Sequence, residues 1–156
     1  MGIELRYDLI QRTPNTFMAH RLIDWFYDQS INTQGRTKTG EEGQASDALA
    51  SKAALAQHRI AEVLFQGYFC QGLNVGDADV LVDLAAEAGA ETAGLKAFLL
   101  SEQGTDAVNA QLARAPDLGI AGVPGYLLGG GFLLPGAHSE ETITKIVTRA
   151  KERFGG

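Results

Sequence analysis

The stretch that most constrains the fold runs from Gly119 to Ala137 and reads G-I-A-G-V-P-G-Y-L-L-G-G-G-F-L-L-P-G-A. Gly119 can end a helix in the left-handed conformation that glycine adopts without strain. The apolar runs 126–128 and 132–134 flank three glycines, a pattern typical of a β-hairpin. Ser139 then suits the N-cap of a further helix. The predicted order is therefore helix, Val-Pro, strand, turn, strand, helix.

The Val123–Pro124 peptide bond, just before the first of these strands, has two interpretations. A cis bond costs only about 0.5–1 kcal/mol before proline. It would leave the backbone N–H and C=O of Val123 facing outwards, able to pair with an extended peptide or a thiol ligand. The alternative is an ordinary trans proline at the first residue of a strand. Taken alone, the residues favour the trans alternative, because cis bonds are uncommon.

The same stretch resembles the C-terminal end of the DsbA-like branch of the thioredoxin superfamily, especially its FrnE-type and 2-hydroxychromene-2-carboxylate isomerase-type members. Three more stretches resemble that family in the same order: P-N-T-F-M-A-H-R-L at 14–22, L-F-Q-G-Y-F at 64–69 and N-V-G-D-A-D-V-L at 74–81. The resemblance implies that Pro124 is cis and faces the active site. It therefore reverses the preference for trans that the residues alone give.

Asn15 and His20 belong to the first of the three additional stretches. The resemblance implies that Asn15 helps to hold a ligand and that His20 lies on a helix over the active-site cleft. The residues alone allow a capping role for Asn15 and a surface or capping role for His20. The expected ligand-binding set comprises five residues: Val123, Pro124, Gly125, Asn15 and His20.

The fold class expected from the resemblance is α/β and mostly helical, a partial thioredoxin-like fold with a helical insertion domain and a C-terminal β-hairpin plus helix. We expect one domain over residues 1–156, with 14–118 as its helical part and 2–10 and 119–156 as its thioredoxin-like part. Apolar periodicity and caps predict the helices, with Asp77 as the N-cap of the helix at 78–88 and Gly89 as its end. They span about 17–27, 47–71, 78–88, 92–102, 106–118 and 140–154. Residues 2–10 suggest a short strand or extended lead-in, and the polar residues 29–46 suggest a loop.

The reactive group of the family is the part that this sequence does not supply. In DsbA-like enzymes a C-x-x-C opens the helix of an N-terminal βαβ unit, and in the isomerase relatives a serine takes its place. The first residues here resemble the family segment that lies after that unit, so we expect the unit to be missing from this sequence. The only cysteine, Cys70, falls at the end of an apolar helix and is expected to pack there. No catalytic residue and no autonomous dithiol exchange are therefore predicted.

The net charge of −6 argues against nucleic acid and anionic membranes as partners, since both require basic patches. No signal peptide and no long apolar run are visible. A lone thiol fits a reducing compartment, so a cytoplasmic location is expected. His20, His58 and His138 are too scattered for a metal motif, so no metal is predicted.

Three functions remain open at this point. The chain is half of an oxidoreductase or isomerase whose nucleophile lies elsewhere, a non-catalytic peptide- or glutathione-binding protein, or a helical interaction scaffold. No cofactor is predicted, with glutathione as a possible ligand. A two-stranded sheet is marginal by itself, so we expect a homo-oligomer formed through strands or apolar helices.

Overall fold

The computed structural model describes residues 4–32, 44–128 and 132–154. The helices are α1 (Phe17–Asn32), α2 (Gln44–Phe65), α3 (Ala78–Glu87), α4 (Leu95–Leu100), α5 (Thr105–Asp117) and α6 (Glu140–Phe154). A short 3₁₀ helix covers Tyr7–Leu9, and a π-helix, Gln66–Cys70, continues α2. The strands β1 (Gly125–Leu128) and β2 (Phe132–Pro135) form a two-stranded antiparallel sheet. The described residues are therefore mostly helical with a small sheet, as predicted.

The chain divides into two compact units, Met1–Val108 and Asn109–Gly156. In the first unit α1 packs against α2, and α3 lies beside α4. The largest fully buried side chains of this unit are Leu22, Ile60, Leu81, Leu95 and Leu99. Their burial is the main source of stability here, at about 1.5–3 kcal/mol for each large aliphatic side chain.

Among the described residues of the first unit, Arg21 is the charged residue that is buried, with 4% of its surface exposed. Its guanidinium donates hydrogen bonds to the carbonyl oxygens of Phe98, Leu99 and Gln103. Phe98 and Leu99 belong to the last turn of α4, where carbonyls have no partner within the helix. The Arg21 carbon Cζ also lies 5.1 Å from the ring centroid of Phe98. Arg21 thus attaches α1 to the C-terminal end of α4.

The N-terminal segment differs from the predicted strand or extended lead-in. Its described residues contain the 3₁₀ helix instead. The backbone N–H of Arg6 donates to the carbonyl oxygen of Phe69 at 2.7 Å, and the Tyr7 ring contacts the Phe69 ring edge-on. The backbone N–H and C=O groups of a strand need hydrogen-bond partners on a neighbouring strand. This segment instead bonds to the carbonyl of Phe69, near the C-terminal end of the π-helix. Arg6 also forms an exposed ion pair with Asp8, which lowers the pKa of that carboxyl.

The loop predicted at 29–46 is also shorter than expected, because α1 and α2 both extend into this stretch. Helix α1 continues to Asn32, and α2 begins at Gln44. No glycine or proline stands at the predicted end of α1 or at the predicted start of α2. Helix boundaries without such residues are hard to predict from sequence. Residues 33–43 of the predicted loop lie outside the described residues. Helix α4 is shorter than the predicted 92–102.

Helix ends that depend on local capping lie where the sequence predicts them. Gly89 has φ +85°, and Ala90 and Gly89 donate to the carbonyls of Ala85 and Ala86. Gly119 has φ +74° and ends α5 with the same pair of bonds. Both are Schellman motifs, in which a left-handed glycine lets the chain turn back on the last helical carbonyls.

The N-cap of α3 gives a first testable prediction. The carboxylate of Asp77 accepts hydrogen bonds from the backbone N–H groups of Asp79 (2.9 Å) and Val80 (3.3 Å). Asp77→Ala should lower the free energy of unfolding by about 1 kcal/mol, because these groups then lose their partner. Urea unfolding followed by circular dichroism measures the change. Asp83→Ala, on the exposed side of α3, is the matched control and should stay within about 0.5 kcal/mol. Equal losses in both variants would contradict the capping role.

In the second unit, the hairpin is followed by α6. Ser139 accepts a hydrogen bond from the backbone N–H of Thr142 at 3.3 Å and is the predicted N-cap. The predicted apolar face of α6 is half-buried and consists of Ile143, Ile146, Val147 and Ala150. The glycine run 129–131, predicted as the hairpin turn, lies outside the described residues. Within the described part of the chain, no helix combines the length and the apolar character that crossing a bilayer requires.

Candidate functional site

The hairpin of the second unit has one strand edge that its partner strand does not use. β1 pairs with β2 so that Gly125 lies opposite Pro135 and Tyr126 opposite Leu134. The backbone N–H of Gly136 donates to the carbonyl oxygen of Pro124 at 2.8 Å. Backbone groups in an antiparallel pair point alternately towards and away from the partner strand. This bond therefore places the N–H and C=O groups of Gly125 and Leu127 on the outer edge of β1.

Val123 and Pro124 lie immediately before that edge. The peptide bond between them is cis. The Val123 side chain is 93% exposed, and Tyr126 and Leu127 are 37% and 43% exposed. Among the residues that the structure describes, none forms a hydrogen bond with the backbone N–H or C=O of Val123. This end of β1 thus presents backbone donors and acceptors next to exposed apolar side chains.

Asn15 lies before α1, in the first unit. Its side-chain oxygen Oδ1 accepts a hydrogen bond from the backbone N–H of Phe17 at 2.9 Å, so the side chain caps the helix start. The backbone of Asn15 is closely approached by Gly76, where an added Cβ would lie 2.9 Å from the Asn15 carbonyl oxygen. Only glycine fits at this approach without displacement. Capping accounts for the oxygen of Asn15, and ligand contact remains a prediction that its exposed amide NH₂ group allows.

His20 is exposed and lines an apolar cavity of about 250 Å³ in the first unit. The cavity lies between the start of α1 and the end of α2 with the π-helix. Thr16 is the second polar residue in its lining, one turn before His20, and the aromatic part comes from Phe65, Tyr68 and Phe69. The pocket beside His20 is therefore formed within this unit, and ligand contact by His20 stays a prediction.

The aromatic wall of the cavity is the feature that sequence reasoning missed. The Tyr68 and Phe69 rings lie edge to face with centroids 4.8 Å apart, and Phe65 lies 6.1 Å from Phe69. The available signal was the L-F-Q-G-Y-F stretch, which supplies all three of these rings. Cys70, the last residue of that helix, is half-buried.

The predicted site residues thus fall into two sets, one in each unit. The structure places Asn15 and His20 together at the start of α1. It places Val123, Pro124 and Gly125 together at the entrance to β1. A lone backbone edge can bind an extended chain, and the cavity beside His20 can bind a small apolar group.

Comparison with known proteins agrees with this architecture. The chain is 28% identical over 97 residues to the uncharacterized protein YwbO of Bacillus subtilis (strain 168). The match covers 62% of this chain and 48% of that relative, so the chain spans about half the length of the curated relative it matches. The family model of the DSBA-like thioredoxin domain matches residues 36–148, well over half of the sequence. The chain belongs to the family of DSBA-like thioredoxin domains.

Proposed function

We propose that this chain is a DsbA-like domain of the FrnE or isomerase type that binds an extended thiol-bearing peptide. Glutathione is the smallest ligand of that class. The ligand lies along the outer edge of β1, beginning at Val123 and Pro124, and the protein works in the cytoplasm. The family comprises oxidoreductases and isomerases, and this chain contributes ligand binding to such chemistry.

The outer edge of β1 is the observation that carries this proposal. An extended peptide can add to an exposed strand edge, where main-chain hydrogen bonds supply affinity and neighbouring side chains supply specificity. The N–H and C=O groups of Gly125 and Leu127 point outwards at the spacing that such a peptide requires. The exposed side chains of Val123 and Leu127 flank them and give a ligand apolar surface to cover.

The number of cysteines supports a protein that binds its ligand but does not carry out dithiol exchange by itself. In thiol–disulfide exchange a thiolate attacks one sulfur of a disulfide and forms a mixed disulfide. A second thiol of the same protein must then attack this mixed disulfide if the protein is to complete the exchange alone. The 156 residues contain a single cysteine, Cys70. A single thiol cannot complete dithiol exchange, so we propose that a second reactive thiol belongs to the ligand or to another segment or chain.

Titration of ¹⁵N-labelled protein with reduced glutathione tests the proposal. The amide signals of Gly125 and Leu127 should shift saturably, together with that of Val123, because their N–H groups meet the ligand. The signals of Tyr126 and Leu128 should move less, because their N–H groups face β2. Shifts of Asn15 or His20 in the same titration would extend the ligand site to these residues. Absence of any shift at millimolar glutathione would contradict the proposal.

A proline variant sharpens the same experiment. Leu127→Pro removes one outward N–H but no bond to β2, and an edge strand tolerates proline in this position. We expect about three- to tenfold weaker glutathione binding, the value of one hydrogen bond. Leu127→Ala truncates the same side chain but keeps the N–H, and is the matched control. If both variants bind equally, the backbone edge does not hold the ligand.

The same edge favours a second candidate, a homo-oligomer in which β1 of one copy pairs with that of another. Unpaired strand edges with exposed apolar side chains readily pair with a further strand. In that case the β1 amide signals would depend on protein concentration rather than on glutathione, and the mass measured by sedimentation would fall on dilution.

A further inference from the structure

A second cavity in the first unit has a different chemical character. Its volume is about 340 Å³, and it lies between α1, α2 and the C-terminal end of α3. Lys52 and Arg59 enter it from α2, and Trp25 enters it from α1. Positions 52 and 59 are seven residues apart, so both cations lie on the same face of their helix.

The two cations of this cavity have no acidic partner among the described residues. Within the described ranges, neither Lys52 nor Arg59 forms an ion pair or a side-chain hydrogen bond. Glu91 is the acidic residue among the described residues of the lining, and it forms no ion pair with either of them. The described lining residues therefore carry a net positive charge in a protein whose overall charge is −6.

Two further details make the cavity suited to a flat anion. An added Cβ at Gly89 would lie 3.5 Å from Nη1 of Arg59, so the guanidinium extends over the bare α-carbon of the turn after α3. Trp25 is half-buried, and among the described residues its indole N–H has no acceptor. An indole face binds flat apolar groups, and a guanidinium forms paired hydrogen bonds with carboxylate or phosphate oxygens.

We propose that this cavity binds a small organic anion, with its carboxylate or phosphate on Arg59 and Lys52 and its flat apolar part against Trp25. The volume is in the range of small-molecule sites and is suited to a molecule of about one ring and one acidic group. This site is independent of the β1 edge and does not rest on the function proposed for it.

Trp25 is the only tryptophan of the chain, so its fluorescence reports on this cavity directly. Phenyl phosphate and benzoate are the probes, and benzyl alcohol is their uncharged counterpart. At least one anion should change the fluorescence saturably, and which of them binds more tightly distinguishes phosphate from carboxylate recognition. Benzyl alcohol should give no saturable change at the same concentrations. The proposal is overturned if no anion saturates, or if benzyl alcohol binds as tightly as the anions.

Arg59→Gln tests the assigned contact. It should weaken binding of the preferred anion about tenfold, the value of a charge-assisted hydrogen bond. Lys145→Gln, on the exposed surface of α6, is the matched control for the loss of one positive charge and should leave the affinity unchanged. Equal affinities of the Arg59→Gln variant and the unaltered protein would overturn the assignment. Circular dichroism confirms that each variant is folded before it is titrated.

Discussion

Arg21→Met is expected to lower the free energy of unfolding of the first unit by about 3–5 kcal/mol. The substitution leaves the carbonyl oxygens of Leu99 and Gln103 without the donor that now satisfies them, whereas the Phe98 carbonyl keeps its hydrogen bonds from the backbone N–H and hydroxyl of Ser101. Each buried group without a partner costs about 1–3 kcal/mol, and a hydrogen bond from a charged donor contributes about 1.5–3 kcal/mol. A loss of this size is a large part of the total stability of a domain.

Urea unfolding followed by the fluorescence of Trp25 measures this effect, because Trp25 lies on the same helix as Arg21. Arg12→Met is the matched control, since Arg12 is exposed, and it should stay within about 0.5 kcal/mol. Arg21→Lys should recover only part of the loss, because an ammonium group lacks the planar fork that reaches three carbonyls. A loss below about 1 kcal/mol in Arg21→Met would show that the carbonyls find other partners and that Arg21 does not hold α4.

Gly72→Ala is expected to destabilise the first unit by about 2–5 kcal/mol. Gly72 has φ +70°, a conformation that costs an alanine about 1–2 kcal/mol. Its added Cβ would also lie 2.6 Å from both the Cβ and the carbonyl oxygen of Leu9, so the N-terminal segment must move. Such overlaps cost roughly a further 1–3 kcal/mol.

Gly94→Ala separates these two causes. Gly94 has φ +80°, but an added Cβ there meets nothing within 4 Å. It should therefore lose only the conformational part, about 1–2 kcal/mol. Urea unfolding gives both losses, and hydrogen exchange at the Arg6 amide reports whether the N-terminal segment stays bound to Phe69. Equal losses in the two variants, with the Arg6 amide still protected, would contradict the steric part of the argument.

The features that were predictable from sequence are those that depend on a few neighbouring residues. The cap at Asp77 and the glycine ends at Gly89 and Gly119 lie where the sequence places them, because each is formed by hydrogen bonds within one helical turn. The resemblance added the family. It rests on the order of four short stretches, and a family match over residues 36–148 confirms it.

The remaining features depend on contacts between distant positions. Arginine is mostly exposed in proteins, so the sequence alone places Arg21 on the surface. The carbonyls that accept its hydrogen bonds lie 77 to 82 positions further along the chain. The 3₁₀ helix at Tyr7–Leu9 is fixed by Phe69 rather than by its own sequence. The spacing of Lys52 and Arg59 indicates a shared face, but the presence of Trp25 opposite them depends on the packing of α1 on α2.

The π-helix at Gln66–Cys70 has a consequence for changes in chain length. A π-turn holds one residue more than the α-turn it replaces. The turn that ends it is correspondingly wide, with the N–H of Leu73 donating to the carbonyl of Gly67. Deleting one residue between 66 and 70 would leave the number of residues that one α-turn needs, so regular α-helical bonding would be restored and the side chains after the turn would keep their direction about the axis. A deletion in the regular part of α2 would instead rotate every following side chain by roughly 100°. The π-helix is therefore the place in this helix where the loss of one residue disturbs the following contacts least.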